Sequence, residues 1–365
     1  AFDDAAAHGL PLELFDARKI RNDIRAIRTS ADLGVVEGKI TRAYLEYAQM
    51  ARFGVLRPNR VDEEIKRKRL QIDQGSYLRK LVASDPNAFF TQLYPQNQEY
   101  ARLVQEKQRL FSLLARGGLG DPVTGGKLQP GDAGRDVVSL RNRLIAMGYL
   151  RRTLSDRFDA NMQRAVQVFQ LDHGMAGDGI VGDGTRAELN KSVHDRLGAI
   201  LVAMERERWT NFDRGERHVI VNLADFSAKI MSEGRIEFQT RSVVGTNKDD
   251  QRSPEFSDEI EHMVINPTWN VPRSIAVKEY LPAFKKDPYA HGYLNLLDTS
   301  GQLVSRDQVD FASFNENTFP FDLKQPPSTR NALGLVKFMF PNRHNIYLHD
   351  TPSKSLFARE VRAFS

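Results

Sequence analysis

The run Asn345-Ile-Tyr-Leu-His-Asp-Thr-Pro352, continued by Ser353-Lys-Ser-Leu-Phe-Ala-Arg-Glu-Val-Arg-Ala-Phe-Ser365, decides how the chain is read. Ile346, Tyr347, Leu348 and His349 alternate with the period of a strand, which directs Ile346 and Leu348 into a core and sets Tyr347 and His349 on the other face. An imidazole therefore stands beside a phenol. Thr351 before Pro352 has the form of an N-cap followed by proline at the first helical position, so a short helix or turn is expected there, carrying Leu356 and Phe357 inward. His349 then sits at the mouth of a strand-to-helix turn.

Moving toward the N-terminus, the period stays near 2 as far back as Arg217. His218–Leu223, Ile236–Val244 and His262–Asn266 alternate or run apolar as strands do, with turns at Ser232-Glu-Gly234 and Gly245-Thr-Asn247. Before that the period is 3.6. Val193, Leu197, Ile200, Leu201 and Met204 line one side of a helix over 192–209, and Tyr100, Leu103, Val104, Leu110, Phe111 and Leu114 line another that Gly117-Gly118 closes. Residues from about 12 to 116 read as several short helices separated at Pro58, Pro86 and Pro95, an α scaffold with no chemistry in it. The helix over 192–209 needs a partner for its apolar side, and the simplest one is this N-terminal region. Whatever lies between them would then be an insertion into a discontinuous scaffold. The glycine-rich stretch 115–126 carries no phosphate-binding pattern and reads as a flexible hinge.

The totals are those of globular protein with room for two or three domains. Hydrophobic residues make up 41% and charged residues 27% of the 365, which favours neither disorder nor a fibrous class. The longest apolar runs, such as 197–204, are far too short to cross a bilayer, so no membrane span is expected. Ala1-Phe-Asp-Asp lacks the charged and apolar regions of a signal peptide, so export has to be inferred from other features. A net charge of +5 is spread among nearly as many acids, and no aromatic-basic motif of a nucleic-acid module accompanies it.

Two family resemblances organise these pieces. The Tyr-Leu-His-Asp-Thr-Pro run with Arg-Ala-Phe-Ser after it resembles the L,D-transpeptidase (YkuD) catalytic domain. So do Val243-Val-Gly245, Ser253-Pro-Glu-Phe256, Asn266-Pro-Thr-Trp-Asn-Val-Pro-Arg-Ser-Ile275, Gln325-Pro-Pro327 and Asn331-Ala-Leu-Gly-Leu-Val-Lys-Phe338. Residues 128–190, with Gly131, Gly134, Val137, Leu140, Leu144, Phe169-Gln170, Asp178-Gly179 and Thr185, are similar to the peptidoglycan-binding domain 1 family, a small three-helix module. His173 inside it reads as structural. The expected fold class is multidomain α+β: a helical scaffold over 1–120, the wall-binding module over 127–191, a scaffold or linker helix over 192–212, and a mostly-β catalytic domain over 217–365. A long polar insertion at about 276–325 either caps the active site, as the resemblance implies, or forms a surface loop.

The resemblance implies a cysteine acyltransferase working without a cofactor on peptidoglycan tetrapeptide stems, cut at the bond between the third residue and D-Ala. A second stem's amine, or water, then resolves the thioester. Its signature continues past Arg-Ala-Phe-Ser to Gly and the nucleophilic Cys, and the chain contains no Cys, so the nucleophile is expected beyond Ser365 and the chain without it is expected to be inactive. His349 is the candidate base, its second ring nitrogen oriented either by Asp350 or by a backbone carbonyl. Tyr347, Asp350, Asn331 and Gly334 are candidate substrate contacts. Arg362, like Arg359, meets a stem carboxylate or lies on a solvated face. The same resemblance implies a periplasmic protein that carbapenems acylate, with glycan strands, stems and other wall-synthesis proteins as partners. Rival classes find less support: no His-Glu-x-x-His, Ser-x-x-Lys or Gly-x-Ser-x-Gly occurs, which leaves a non-catalytic wall-binding scaffold, or a carboxypeptidase or lipoprotein-anchoring enzyme on the same fold.

Overall fold

The computed structural model describes residues 4–246, 248 and 251–364, and Leu12 by its backbone alone. Asn247, at the end of one expected turn, lies outside the described residues, as do Ala1 to Asp3 and Ser365 of the two terminal stretches. The architecture is α+β, and the chain divides into two compact units, residues 1–255 with 360–365, and residues 256–359. That division cuts across the catalytic region expected over 217–365.

In the first unit, helices α1 (Ala17–Arg25), α2 (Ser30–Phe53), α3 (Pro58–Val61), α4 (Gln74–Ala83), α5 (Pro86–Thr91) and α6 (Gln98–Ala115) follow the expected punctuation. Pro58 and Pro86 open α3 and α5, where a missing N–H costs nothing. Thr29 and Asp32 form a reciprocal capping box at the start of α2. The α6 helix ends as the glycines require, with Gly117 at φ +98° and the Gly118 N–H bonded to the Leu113 carbonyl at 2.9 Å. Then come α7 (Arg135–Met147), α8 (Ala160–Asp172) and α9 (Asp183–Leu189), which close around Leu140, Leu144, Phe158, Val166 and Phe169. Asp159 caps α8 by accepting from the N–H groups of Asn161 and Met162, both at 2.9 Å. Within this module the Gln170 side chain accepts from the Gly179 N–H at 2.8 Å and donates to the Ile180 carbonyl at 2.9 Å, which fixes the loop into α9. His173 has a structural duty: its Nδ1 faces the Phe169 carbonyl at 2.8 Å and its Nε2 accepts from Arg196 at 3.0 Å.

Helix α10 (Val193–Trp209) returns to the scaffold. Its Val193 and Leu197 join Leu110 and Leu113 of α6, and its Met204 is buried with Tyr44, Tyr47 and Ala48 of α2. The apolar stripe thus finds the partner expected of it, with the three-helix module spliced between α6 and α10. Three antiparallel strands follow as a meander, β1 (Arg217–Asn222), β2 (Ser227–Ser232) and β3 (Arg235–Arg241). The middle strand had no signal of its own because Ala228, Lys229 and Ile230 neither alternate cleanly nor run apolar.

The second unit holds β4 (His262–Ile265), β5 (Trp269–Asn270), α11 (Arg273–Ile275), α12 (Leu281–Lys286), β6 (Asn295–Leu297), β7 (Asp322–Gln325), β8 (Val336–Met339) and β9 (Leu348–His349). They form two antiparallel sheets, β4-β8-β9 and β5-β7-β6. The region expected as a polar insertion has its own interior: Val277, Leu281, Phe284, Leu296, Phe311 and Phe319 are buried together. Its aromatics obey no single period, so counting along the sequence shows polarity where the fold shows a core. Arg306 holds the neighbouring loop by donating to the carbonyls of Pro288, Ala290, His291 and Leu294 while lying over the Phe284 ring.

Candidate active site

The hairpin that carries His349 is fixed by side-chain amides. Asn342 donates to the carbonyls of Phe340 and Ile346 at 2.6 and 2.7 Å and accepts from the His344 N–H at 3.0 Å, and Asn345 takes the left-handed φ of +54° that the tight loop demands. This loop spends residues 345–347, so β9 is only Leu348–His349, shorter than the strand expected from Ile346 onward. Leu348 pairs with Phe338, and that face of the sheet is not an apolar interior: Met263 and Ile265 on β4 are 59% and 72% exposed. The expected cap also moves. Thr351 accepts from the Ser353 N–H at 3.2 Å, and the helical turn, of the tighter 3₁₀ kind, begins only at Lys354 and ends at Ala358 with Leu356 and Phe357 half-buried.

On the opposite face the expected neighbours meet. The rings of Tyr347 and His349 are 5.7 Å apart between centroids. The Nδ1 of His349 faces the backbone carbonyl of Asp350 at 2.5 Å, the second of the two acceptors the sequence allowed. Since a carbonyl only accepts, Nδ1 carries the proton and Nε2 is left as the basic nitrogen. Loss of surrounding water lowers the His349 pKa below 6.5, the Asp350 carbonyl opposes that, and the nearby charge of Lys337 adds to it. Burial raises the Tyr347 phenol.

Lys337 is the residue that sequence reasoning missed. It pairs with His349 across the β8–β9 ladder, and its ammonium lies 3.4 Å from the centre of the Tyr347 ring. A signal for it existed in the Val-Lys-Phe-Met alternation of β8, but only the register of the hairpin shows which residue faces the imidazole.

The other candidates have distinct places. Gly334, at φ +69°, approaches Asp350 so closely that a Cβ there would lie 2.5 Å from the Asp350 Cβ. The pair thus belongs to one side of the site. Burial alone would raise the Asp350 carboxyl, yet Lys354 and the Thr351 N–H hold it below the usual carboxylate range. Asn331 is 1% exposed and its amide is spent inside, donating to the carbonyls of Gln325 and Pro326 and accepting from the Leu333 N–H. It shapes the turn that carries Gly334. Arg362 belongs to the first unit, buried, donating to the carbonyls of Ser242, Asp225 and Phe226. Its guanidinium therefore does not stand on a solvated face, though it lines a small open pocket with Asp225, Gln239 and Arg241. Among the described residues no cluster of three or more His, Asp or Glu is arranged to hold a metal ion.

Residues 216–365 match the family model described as the L,D-transpeptidase catalytic domain. The C-terminal region is thus similar to an L,D-transpeptidase catalytic domain. Residues 1–106 match a "Scaffold domain" and residues 133–189 a "Putative peptidoglycan binding domain", so a segment similar to a wall-binding family lies within the helical part. A protein of Haemophilus influenzae named "Putative L,D-transpeptidase" is 33% identical over 167 residues, 45% of this chain and 33% of that relative. The chain thus spans about a third of the relative's length. Domains of these families are associated with peptidoglycan, which places their work outside the cytoplasm, and among the described residues no helix is long and apolar enough to cross a membrane.

Proposed function

We propose that the protein is a periplasmic L,D-transpeptidase that cross-links peptidoglycan stems, with His349 as its general base. The observation that carries this reading is the hydrogen bond from Nδ1 to the Asp350 carbonyl, which leaves Nε2 basic on the face shared with Tyr347. The nucleophile is a cysteine outside these 365 residues, none of which is Cys. The thiol proton passes to Nε2 and the sulfur attacks the carbonyl carbon of the stem's third residue. As the C–N bond breaks, the proton goes on to the departing nitrogen of D-Ala, leaving a thioester that keeps the acyl group activated without ATP. The amine of a second stem attacks this thioester, gives up a proton to the imidazole and restores the thiol. Water in place of that amine would trim the stem. The lowered pKa of His349 favours the neutral ring, the form able to accept a proton.

The test uses the encoded protein with the residues that follow Ser365. Carbapenem should add once to its cysteine, as intact-mass spectrometry would show, and His349→Gln should slow that acylation by about 10²- to 10⁴-fold. A reading frame that continues without a cysteine, or a cysteine protein that never forms the adduct, overturns the proposal. Because the chain itself has no Cys, a second reading also has support: these 365 residues alone bind wall polymer without cutting it. Retention on purified sacculi is the measurement, and passage straight through removes that reading.

A further inference from the structure

The β8–β9 pairing sets Lys337 directly across from His349, and residues opposed in this way have Cβ atoms roughly 4.5–5.5 Å apart on a common face. Tyr347 lies on that face too, with Lys337 Nζ 3.4 Å from its ring centre. The third residue of the cross-strand row is apolar, since Val264 on β4 pairs with Lys337 from the other side. The ammonium lies over a ring face, and the strand position that carries it is flanked by His349 and Val264. The nearest carboxylate along the chain, Asp350, is engaged by Lys354 and the Thr351 N–H. Among the described residues none accepts a hydrogen bond from Lys337 or forms an ion pair with it, although the residue is half-buried. A structural lysine in such a place normally has a carboxylate or carbonyl partner; this one has an aromatic face and an open side.

We propose that Lys337 is the carboxylate-binding residue of the acyl-donor site, holding the terminal carboxylate of the residue released in the reaction. This rests on the function proposed above and deepens it. In the stem the departing nitrogen and that carboxylate are attached to the same carbon. A donor whose scissile carbonyl lies at the imidazole therefore extends its carboxylate by only a few ångströms, the distance from one strand to the next. An ammonium with three donors suits a carboxylate arriving in varied orientations. The consequence is specificity: a donor whose residue after the scissile bond ends in a free carboxylate is accepted, and one whose carboxylate is amidated or displaced by a further residue is disfavoured.

The experiment compares a tetrapeptide stem with its C-terminal amide on the encoded cysteine-containing protein, in wild type, Lys337→Met, Lys337→Arg and His349→Gln. Wild type should prefer the free acid by tenfold or more in kcat/KM. Lys337→Met should abolish that preference by raising KM for the acid alone, and Lys337→Arg should restore part of it. Equal loss on both substrates would show a structural role, and a preference that survives Lys337→Met would show that the carboxylate binds elsewhere; either overturns the inference. His349→Gln separates the two claims, since it should depress both substrates alike. If it acts as wild type, the general-base reading fails, while the acid-versus-amide comparison still decides the role of Lys337.

Discussion

Two of the places in this molecule that put a histidine beside a tyrosine and a cation differ in what happens to the cation. In the helical scaffold His8 stacks on Tyr94 at 3.5 Å between ring centroids, and its Nδ1 lies 3.2 Å from the Tyr100 hydroxyl. The cation there is Arg208, 1% exposed, paired with Glu205 at 3.1 Å and donating to the His8 carbonyl and the Tyr100 hydroxyl. Glu205 in turn accepts from the Trp209 indole at 2.9 Å and the Leu56 N–H at 2.8 Å. The two opposite charges answer each other inside the fold, although the Arg208 Nε has no hydrogen-bond partner. Around His349 the rings stand farther apart, the imidazole reaches solvent, and Lys337 has only a ring face. The same residue types build a locked joint in one place and an open site in the other, and what separates them is whether the protein itself completes the electrostatics.

Breaking the locked joint should have the largest effect on stability. Arg208→Met leaves Glu205 without its cation in a buried setting, and removal of one partner of such a pair typically costs about 3–5 kcal/mol. Chemical denaturation followed by tryptophan fluorescence at Trp209 should show the loss. The double change with Glu205→Gln should cost less than the sum of the single changes, because no buried charge is then left over. Additive costs would mean that the pair does not act as a unit.

The scaffold histidine should also respond to acid. Burial first, then the charges of Arg208 and Lys107, lower its pKa from 6.5 to about 4, opposed only by Asp4. The unfolded chain takes up this proton near pH 6.5 and the folded one only near 4, so the scaffold loses stability as pH falls through that window, by at most about 3 kcal/mol. His8→Phe keeps an aromatic stack with nothing to protonate. Its denaturation midpoint should vary less between pH 7 and pH 4 than that of wild type, and an unchanged slope would assign the acid sensitivity elsewhere.

Legibility in the sequence tracks the range of the interactions involved. The helical half announces itself because its signals are local: Pro58 and Pro86 at helix starts, Asp159 at a cap, Gly117-Gly118 at an end, and stripes spaced by 3.6. His349 and Tyr347 were visible because alternation fixes their shared face whatever the strand's length. Lys337 was not, since its place depends on pairing between β8 and β9 through a loop set by Asn342. Asn331 and Arg362 show a related limit of the sequence. A polar residue in a motif looks ligand-facing until the backbone carbonyls that it satisfies come into view, here those of Gln325 and Pro326 for one and of Ser242 and Asp225 for the other. The buried aromatic interior of residues 276–325 likewise arises from contacts far apart along the chain.

The smallest effect expected is the one that sharpens the contrast most. His349 owes its lowered pKa first to lost solvation, with the charge of Lys337 as a lesser contribution in the same direction. Neutralising that charge should raise the pKa part of the way back toward 6.5 and leave the remainder. In the encoded protein with its nucleophile, Lys337→Met should therefore move the acid limb of carbapenem acylation to higher pH. The sign follows from the base form being the active one: a higher pKa means that more of the ring is protonated, and idle, at a given acidic pH. A shift to lower pH would mean that the lysine does not act on the ring as a charge. A shift of several units would mean that the change had rebuilt the solvation of the site. By contrast, the removal of Arg208 should be read in unfolding, including its dependence on pH, because the Arg208 charge is one of the causes that lower the His8 pKa.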